Sequence, residues 1–282
     1  MLNKIIALFA KSRKRTRIPD HAFFVSQLSG KRGLEIGGPS WIFSKRGPVP
    51  VYSLLAGLDG CNFDRSTVWE GNIKEGPGNY EYEKGRPGGY QYIREAADLR
   101  GIETGTYDAV LSSHCIEHVA NPFRALTEWL RVLKPGGFFL LVAPHRDGTF
   151  DHRRPVTAME HLVQDRDRSV AEDDLTHLDE ILELHDITMD PPAGDRESFR
   201  QRSLRNSENR CLHHHVFDTG LIVRIIDSFR LQILNVHAAL PYHIIVLARK
   251  PSGNELPDNS VYLFRAANYR QESPFPSDRD KT

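Results

Sequence analysis

A chain of 282 residues is long enough to bury a proper core as one large domain or two small ones. Its 37 Lys+Arg balance 37 Asp+Glu, which excludes a globally basic nucleic-acid binder, although a local basic patch stays open. The 3 cysteines (Cys61, Cys115 and Cys211) are too widely spaced for a disulfide framework or a CxxC metal site, and no apolar run reaches the ~20 residues that span a bilayer.

The N-terminus runs apolar from Leu2 to Ala10 and then basic from Lys11 to Arg17. A secretory signal has the opposite order, so the pattern is not one, and with the cysteine usage it points to the cytoplasm. Two readings of residues 1–17 remain: a short amphipathic helix lying peripherally on an anionic membrane, or a solvated helix packed on the domain. The second is favoured. A helix is expected over Asp20 to Leu28, which closes an N-terminal segment of residues 1–29. A short buried strand follows at Gly33 to Ile36 and runs into a glycine turn, Gly37-Gly38-Pro39-Ser40. Val49 to Leu58 reads as a second strand, ending in Asp59. Residues 62–90 are rich in Gly, Asn, Glu and Tyr and read as a loop-dominated excursion. Tyr90 to Ile93 is a weak third strand, and Ala96-Ala97-Asp98-Leu99 comes after it.

The pattern sharpens at Tyr107 to Ser112, a fourth, buried strand. Asn121 and Pro122 supply an N-cap and a first-turn proline. Phe123, Leu126, Trp129, Leu130 and Leu133 then recur at helical spacing. Lys134-Pro135-Gly136-Gly137 stops that helix. Phe138 to Ala143 is a fifth strand, buried on both faces, and this strand–helix–strand run marks a parallel sheet. Residues 144–215 break the rhythm. They are rich in His, Asp, Arg and Pro, with one convincing helix around Leu175 to Leu184. Asp218 caps a further helix through Phe229, with Phe217 and Ile222 as a hydrophobic staple. Leu231 to Val236 and Tyr242 to Ala248 are two strands joined by a link too short for a helix, hence antiparallel. The tail, residues 251–282, is polar and expected to be loose.

Taken together, Glu35-x-Gly37-Gly38, Asp59, Asp98-Leu99 and above all Tyr107 through Gly137 resemble the class I S-adenosylmethionine-dependent methyltransferases of the small-molecule type 11 kind. The resemblance covers roughly residues 30–145, with a compatible ending at 218–249. It implies an α/β, Rossmann-like, seven-stranded, mostly parallel sheet with the last strand antiparallel. That domain would occupy residues 30–250, with a helical and loop insert after the fifth strand at about 144–215. The stretch Pro144 to Thr157 further resembles a bacterial branch found near polysaccharide and glycosyltransferase genes.

The resemblance implies roles by position. Glu35 would sit near the methionine amine of S-adenosylmethionine, directly or through water, and Gly37 and Gly38 would let the backbone pass close to it. Asp59, or failing it Asp64, would take the ribose hydroxyls. Asp98 would accept from the adenine amino group, with the Leu99 N–H facing the ring. Ser112, Ser113 and His114 would line the methionine side. Two positions depart from the family pattern: Pro39 and Trp41 stand where later glycines belong, and little room is left for the usual first helix.

In the insert, His145 at the strand end and then His152 are the candidates for an optional general base. Arg146, Arg153 and Arg154 read as salt-bridge partners of nearby carboxylates rather than an anion clamp. No HxxxH or CxxC spacing supports a metal site, and none is expected; in His213-His214-His215 at most two residues can share a face. Glu117 and His118 are expected to hold their turn, leaving His114 alone to face the cleft. The reading is therefore an enzyme that methylates a small-molecule or glycan-type acceptor at oxygen, with no nucleic-acid partner. The alternative is a non-catalytic binding or scaffold protein that keeps the fold.

Overall fold

A computed structural model describes residues 17–279. The membrane-contact reading of the N-terminal segment lies almost wholly outside the described residues. Eight strands form one sheet: β1 (Arg32–Ile36), β2 (Gly57–Asn62), β3 (Gly76–Tyr80), β4 (Gly89–Ile93), β5 (Tyr107–Ser113), β6 (Leu133–Pro144), β7 (Gln232–Ala239) and β8 (His243–Arg249), in the order β3-β4-β2-β1-β5-β6-β8-β7. The five strands β4, β2, β1, β5 and β6 run parallel. Strand β8 is antiparallel to both β6 and β7, as the short link predicts.

The sheet thus has eight strands where seven were expected. The extra one, β3, lies in the excursion after residue 62 and pairs antiparallel with β4 at the edge. Its sequence, Gly-Pro-Gly-Asn-Tyr, carries no alternating pattern, so periodicity could not reveal it. Strand β2 also starts later than expected: Val49 to Leu55 is taken up by loop and a 3₁₀ turn, Tyr52–Leu54.

The parallel strands alternate between two cores, as the period-2 side-chain rule requires. Leu34, Ile36, Val110, Phe139 and Leu141 face one core, completed by helix α1 (Pro122–Val132) and helix α2 (Thr219–Ser228). Phe123, Leu126 and Trp129 of α1 are buried there, each contributing roughly 1.5–3 kcal/mol of transfer free energy. The expected caps form: Asn121 accepts from the Arg124 N–H at 3.0 Å and Asp218 from the Leu221 N–H at 2.6 Å. Leu111, Leu140, Val142 and Leu247 face the other core with Phe24 and Leu28 of the N-terminal helix His21–Leu28. Between β1 and β2 that face is covered by two 3₁₀ turns, Trp41–Phe43 and Tyr52–Leu54, in place of a crossover helix.

The C-terminal segment is not loose. Ala267, Tyr269, Phe275 and Asp278 are buried against the domain. Asp278 accepts from the Thr219 and Ser273 hydroxyls at 2.6 and 2.7 Å, a use of polar residues that composition does not reveal. None of the described helices is long and apolar enough to cross a membrane.

Candidate active site

A cavity of about 1820 Å³ opens at the carboxyl ends of the parallel strands, where open α/β sheets bind ligands. The turn after β1 forms one wall. Gly37 has φ +77°, and a Cβ there would stand 2.8 Å from the Cys115 Sγ. At Gly38 a Cβ would come within 2.3 Å of the Glu35 carboxyl carbon and 2.2 Å of the Tyr80 hydroxyl. Both glycines are required by close packing around the turn.

Glu35 is fully buried beneath that turn and does not line the cavity. Its Oε1 accepts from the Ser40 N–H at 3.0 Å. Its Oε2 accepts from the Tyr52 and Tyr80 hydroxyls at 2.7 and 2.6 Å. The expected contact with the cofactor amine gives way to a turn-building role. Burial pushes the Glu35 carboxyl up to about 7, against the pull of the Tyr80, Tyr52 and Ser40 donors.

Asp59 requires a second correction. It lies in the middle of β2, in register with Leu34, and not at the strand's end. Its carboxylate takes Arg32 at 2.8 Å, the Tyr107 hydroxyl at 2.7 Å and the Tyr90 N–H at 2.8 Å, all away from the cavity. Asp64, the fallback, is exposed and also lies outside. The residues that reach the cavity from the end of β2 are Asn62 and Phe63. Asn62 braces the turn, its Nδ2 donating to the Gly38 carbonyl at 2.9 Å.

The adenine candidates move as well. Asp98 pairs with Arg100 outside the cavity. Leu99 is buried, and its N–H donates to Glu128 Oε2 at 3.0 Å, so it has no free donor for a ring. Glu95 and Ala96, directly after β4, line the cavity instead, with Glu95 bound to Arg210 at 2.6 Å. The end of β4 was the usable signal, because a ligand meets the first residues beyond a strand.

Ser113 and His114 line the cavity at the end of β5. The Ser113 Oγ is buried and has no hydrogen-bond partner among the described residues. His114 sits at φ +49° and its Nε2 is 2.9 Å from His243 Nδ1. Glu117 and His118 line the cavity beside it, so His114 is not alone.

Neither candidate base from the start of the insert reaches the cavity. His145 is fully buried, stacked on Phe275 at 4.0 Å and 3.3 Å from Asp278 Oδ1. The docking of the C-terminal segment closes over it. His152 points outward to Asp186 at 3.0 Å. The histidine of the insert that does reach the cavity is His213, whose Nδ1 meets Asp151 Oδ2 at 2.5 Å. Buried Arg154 fixes Asp151 at 2.9 Å and also donates to the His213 carbonyl at 2.8 Å. Burial lowers the affinity of His213 for a proton, but the Asp151 charge and hydrogen bond outweigh it and raise the imidazole above its ordinary value. Burial likewise opposes ionisation of Asp151, yet His213 and Arg154 together bring it down to about 2.

Nearby, Glu117 stays below the usual carboxylate range: burial works against this, and the His114 hydrogen bond and the surrounding imidazoles overcome it. His118 is pushed down to about 4 by burial and by the charge of His213. Ligand atoms of Glu117, His118 and His213 lie within 4.8 Å of one another, close enough to share a cation. The Asp151 partner instead gives His213 the geometry of an oriented base.

Residues 70–141 match the family described as Methyltransferase domain. No curated protein matches the chain. Among solved structures, the chain is similar to a SAM-dependent methyltransferase from Methanosarcina mazei, at 17% identity and TM-score 0.45, over 84% of this chain and 100% of that one. It is also similar to an S-adenosylmethionine-dependent methyltransferase from Mesorhizobium loti, at 14% identity and TM-score 0.46, over 82% and 96%. A third is a Burkholderia thailandensis 1,6-didemethyltoxoflavin-N1-methyltransferase with bound 1,6-didemethyltoxoflavin and S-adenosylhomocysteine, at 10% identity and TM-score 0.44, over 83% and 78%.

Proposed function

We propose that the chain transfers a methyl group from S-adenosylmethionine to an oxygen of a small-molecule or glycan-type acceptor. The observation that carries the reading is the convergence on one cavity of the turn after β1 and the ends of β2, β4 and β5. The residues there fit the cofactor. The glycine turn admits a ligand close to the backbone, Asn62 and Phe63 would hold the ribose, Glu95 and Ala96 would border the adenine, and the Ser113 hydroxyl lacks a protein partner among the described residues. S-adenosylmethionine supplies an electrophilic methyl group on a sulfonium centre.

The chain's own work is to orient two reactants and exclude water. His213, held at Nδ1 by Asp151 and lining the cavity, would take the proton of an acceptor hydroxyl. Tyr242, His243, His118 and Trp69 complete a polar and aromatic wall suited to a hydroxylated ring. A zero formal net charge favours such an acceptor over nucleic acid, and the resemblance at Pro144 to Thr157 points to glycan metabolism in a bacterial cytoplasm.

Calorimetry with S-adenosylmethionine tests the reading. Binding in the micromolar range is expected, and a folded protein that shows no heat at high micromolar cofactor overturns the enzyme in favour of a non-catalytic scaffold. Pro39, which cannot donate a hydrogen bond, is the feature that would account for that outcome.

A further inference from the structure

A second histidine cluster lies in the insert, apart from the cavity. Helix α3 (Met159–Asp167) carries His161 and Asp165 one turn apart on one face. His177 comes from the loop before the next helix, and His215 from the extended segment that returns to the domain. The His161 and His177 Nε2 atoms are 2.9 Å apart. Asp165 Oδ2 stands 3.3 Å from His161 Nε2 and 3.6 Å from His215 Nε2, yet it is buried and hydrogen-bonds to nothing among the described residues. The His215 Nδ1 is likewise buried without a partner, while its Nε2 lies 3.2 Å from the Ala120 carbonyl.

One nitrogen from each of the three histidines lies within 4.8 Å of the other two. Ligands at about 2.0–2.1 Å around a tetrahedral ion would be about 3.3 Å apart, and the His161 and His177 nitrogens stand 2.9 Å apart. The Ala120 carbonyl at His215 Nε2 is the usual kind of partner that orients a metal-bound imidazole, and it leaves the unpartnered Nδ1 as the ligand atom.

We propose that His161, His177 and His215 form a site for a divalent transition-metal ion of the zinc type, with Asp165 beside it. Three imidazole donors suit zinc, with water completing the coordination. The ion would tie together three segments distant in sequence. One of them, residues 211–217, also carries His213 into the cavity, so the metal would hold the edge of the acceptor wall.

The test uses the full chain stripped with a chelator and titrated with Zn²⁺ alone, followed by calorimetry and by elemental analysis after gel filtration. One equivalent bound at micromolar affinity or tighter, with a rise in melting temperature, is expected. His177→Ala, at a half-exposed loop position, should stay folded by circular dichroism and weaken Zn²⁺ by ~100-fold or more. Asp165→Asn should weaken it less. The same titration on His213→Asn separates this cluster from the cavity. Zn²⁺ retained by His177→Ala but lost from His213→Asn would move the ion to the Glu117, His118 and His213 group and overturn the proposal. So would a stripped wild-type chain that takes up no Zn²⁺.

Discussion

Glu35→Gln probes the turn beneath the cavity. In the folded chain the carboxyl titrates at about 7, against 4.5 for an exposed glutamate, because burial outweighs the three donors. The folded state therefore binds this proton more tightly than the unfolded state does, and stability falls as pH rises from 4.5 through about 7. With each pKa step of one corresponding to about 1.4 kcal/mol, the ionised carboxylate costs the fold about 3 kcal/mol at the alkaline end. Glutamine keeps the shape and an acceptor oxygen and removes the titration. Urea unfolding of both proteins at about pH 4.5 and about pH 8 measures the effect. The variant should gain on the wild type by about 3 kcal/mol between those two conditions. The comparison cancels every other titrating group. A wild-type-minus-variant difference that stays constant to within ~1 kcal/mol would refute the reasoning, since Glu35 would then carry no raised affinity for its proton.

The geometry also sets outcomes for His213, His145 and Asp59. His213→Asn should lower kcat by ~10²–10⁴ while leaving S-adenosylmethionine affinity within about 3-fold, and His145→Gln should retain turnover. The wild-type rate should rise with pH through a midpoint above the ordinary histidine value of 6.5, since only neutral His213 can accept the proton; a flat profile would remove it from the chemistry. Asp59→Ala should destabilise the fold by roughly 2–4 kcal/mol, because the buried Tyr107 hydroxyl and Tyr90 N–H lose their acceptor. Its cofactor affinity in the folded state should match the parent, and a large loss in calorimetry would restore the ribose role.

The sheet and its flanking helices were legible because their signals are local. Tyr107 to Ser112, the Asn121-Pro122 cap and the α1 periodicity each declare an element within a few residues. The site was less legible because its residues depend on where a strand ends. A shift of β2 toward its C-terminal side carries Asp59 into mid-strand and brings Asn62 to the edge, since strand ends rather than residue types choose what faces the ligand. Asp98 misled for the same reason, being an acidic residue near the right strand but five positions beyond its last residue, Ile93. His145 misled because nothing local announced that Phe275 and Asp278 would fold back over it. His213 could not be assigned a role before Asp151 and Arg154 were brought beside it across the insert. His161 was legible only as one histidine of the insert, because His177 and His215 reach it from other segments.

Tyr80 ties the two irregularities of this chain to each other. It is the last residue of the supernumerary strand β3, and its ring lies across Gly60, where a Cβ would come within 2.1 Å of it. From there it reaches the carboxylate under the turn that holds Pro39. The edge strand and the glycine-poor loop are thus a linked pair. A turn short of glycines needs outside bracing, and the added hairpin delivers that brace from three strands away. Trimming the hairpin would take the Tyr80 hydroxyl from the Glu35 carboxylate and leave the turn braced by Tyr52 and Asn62 alone among those contacts.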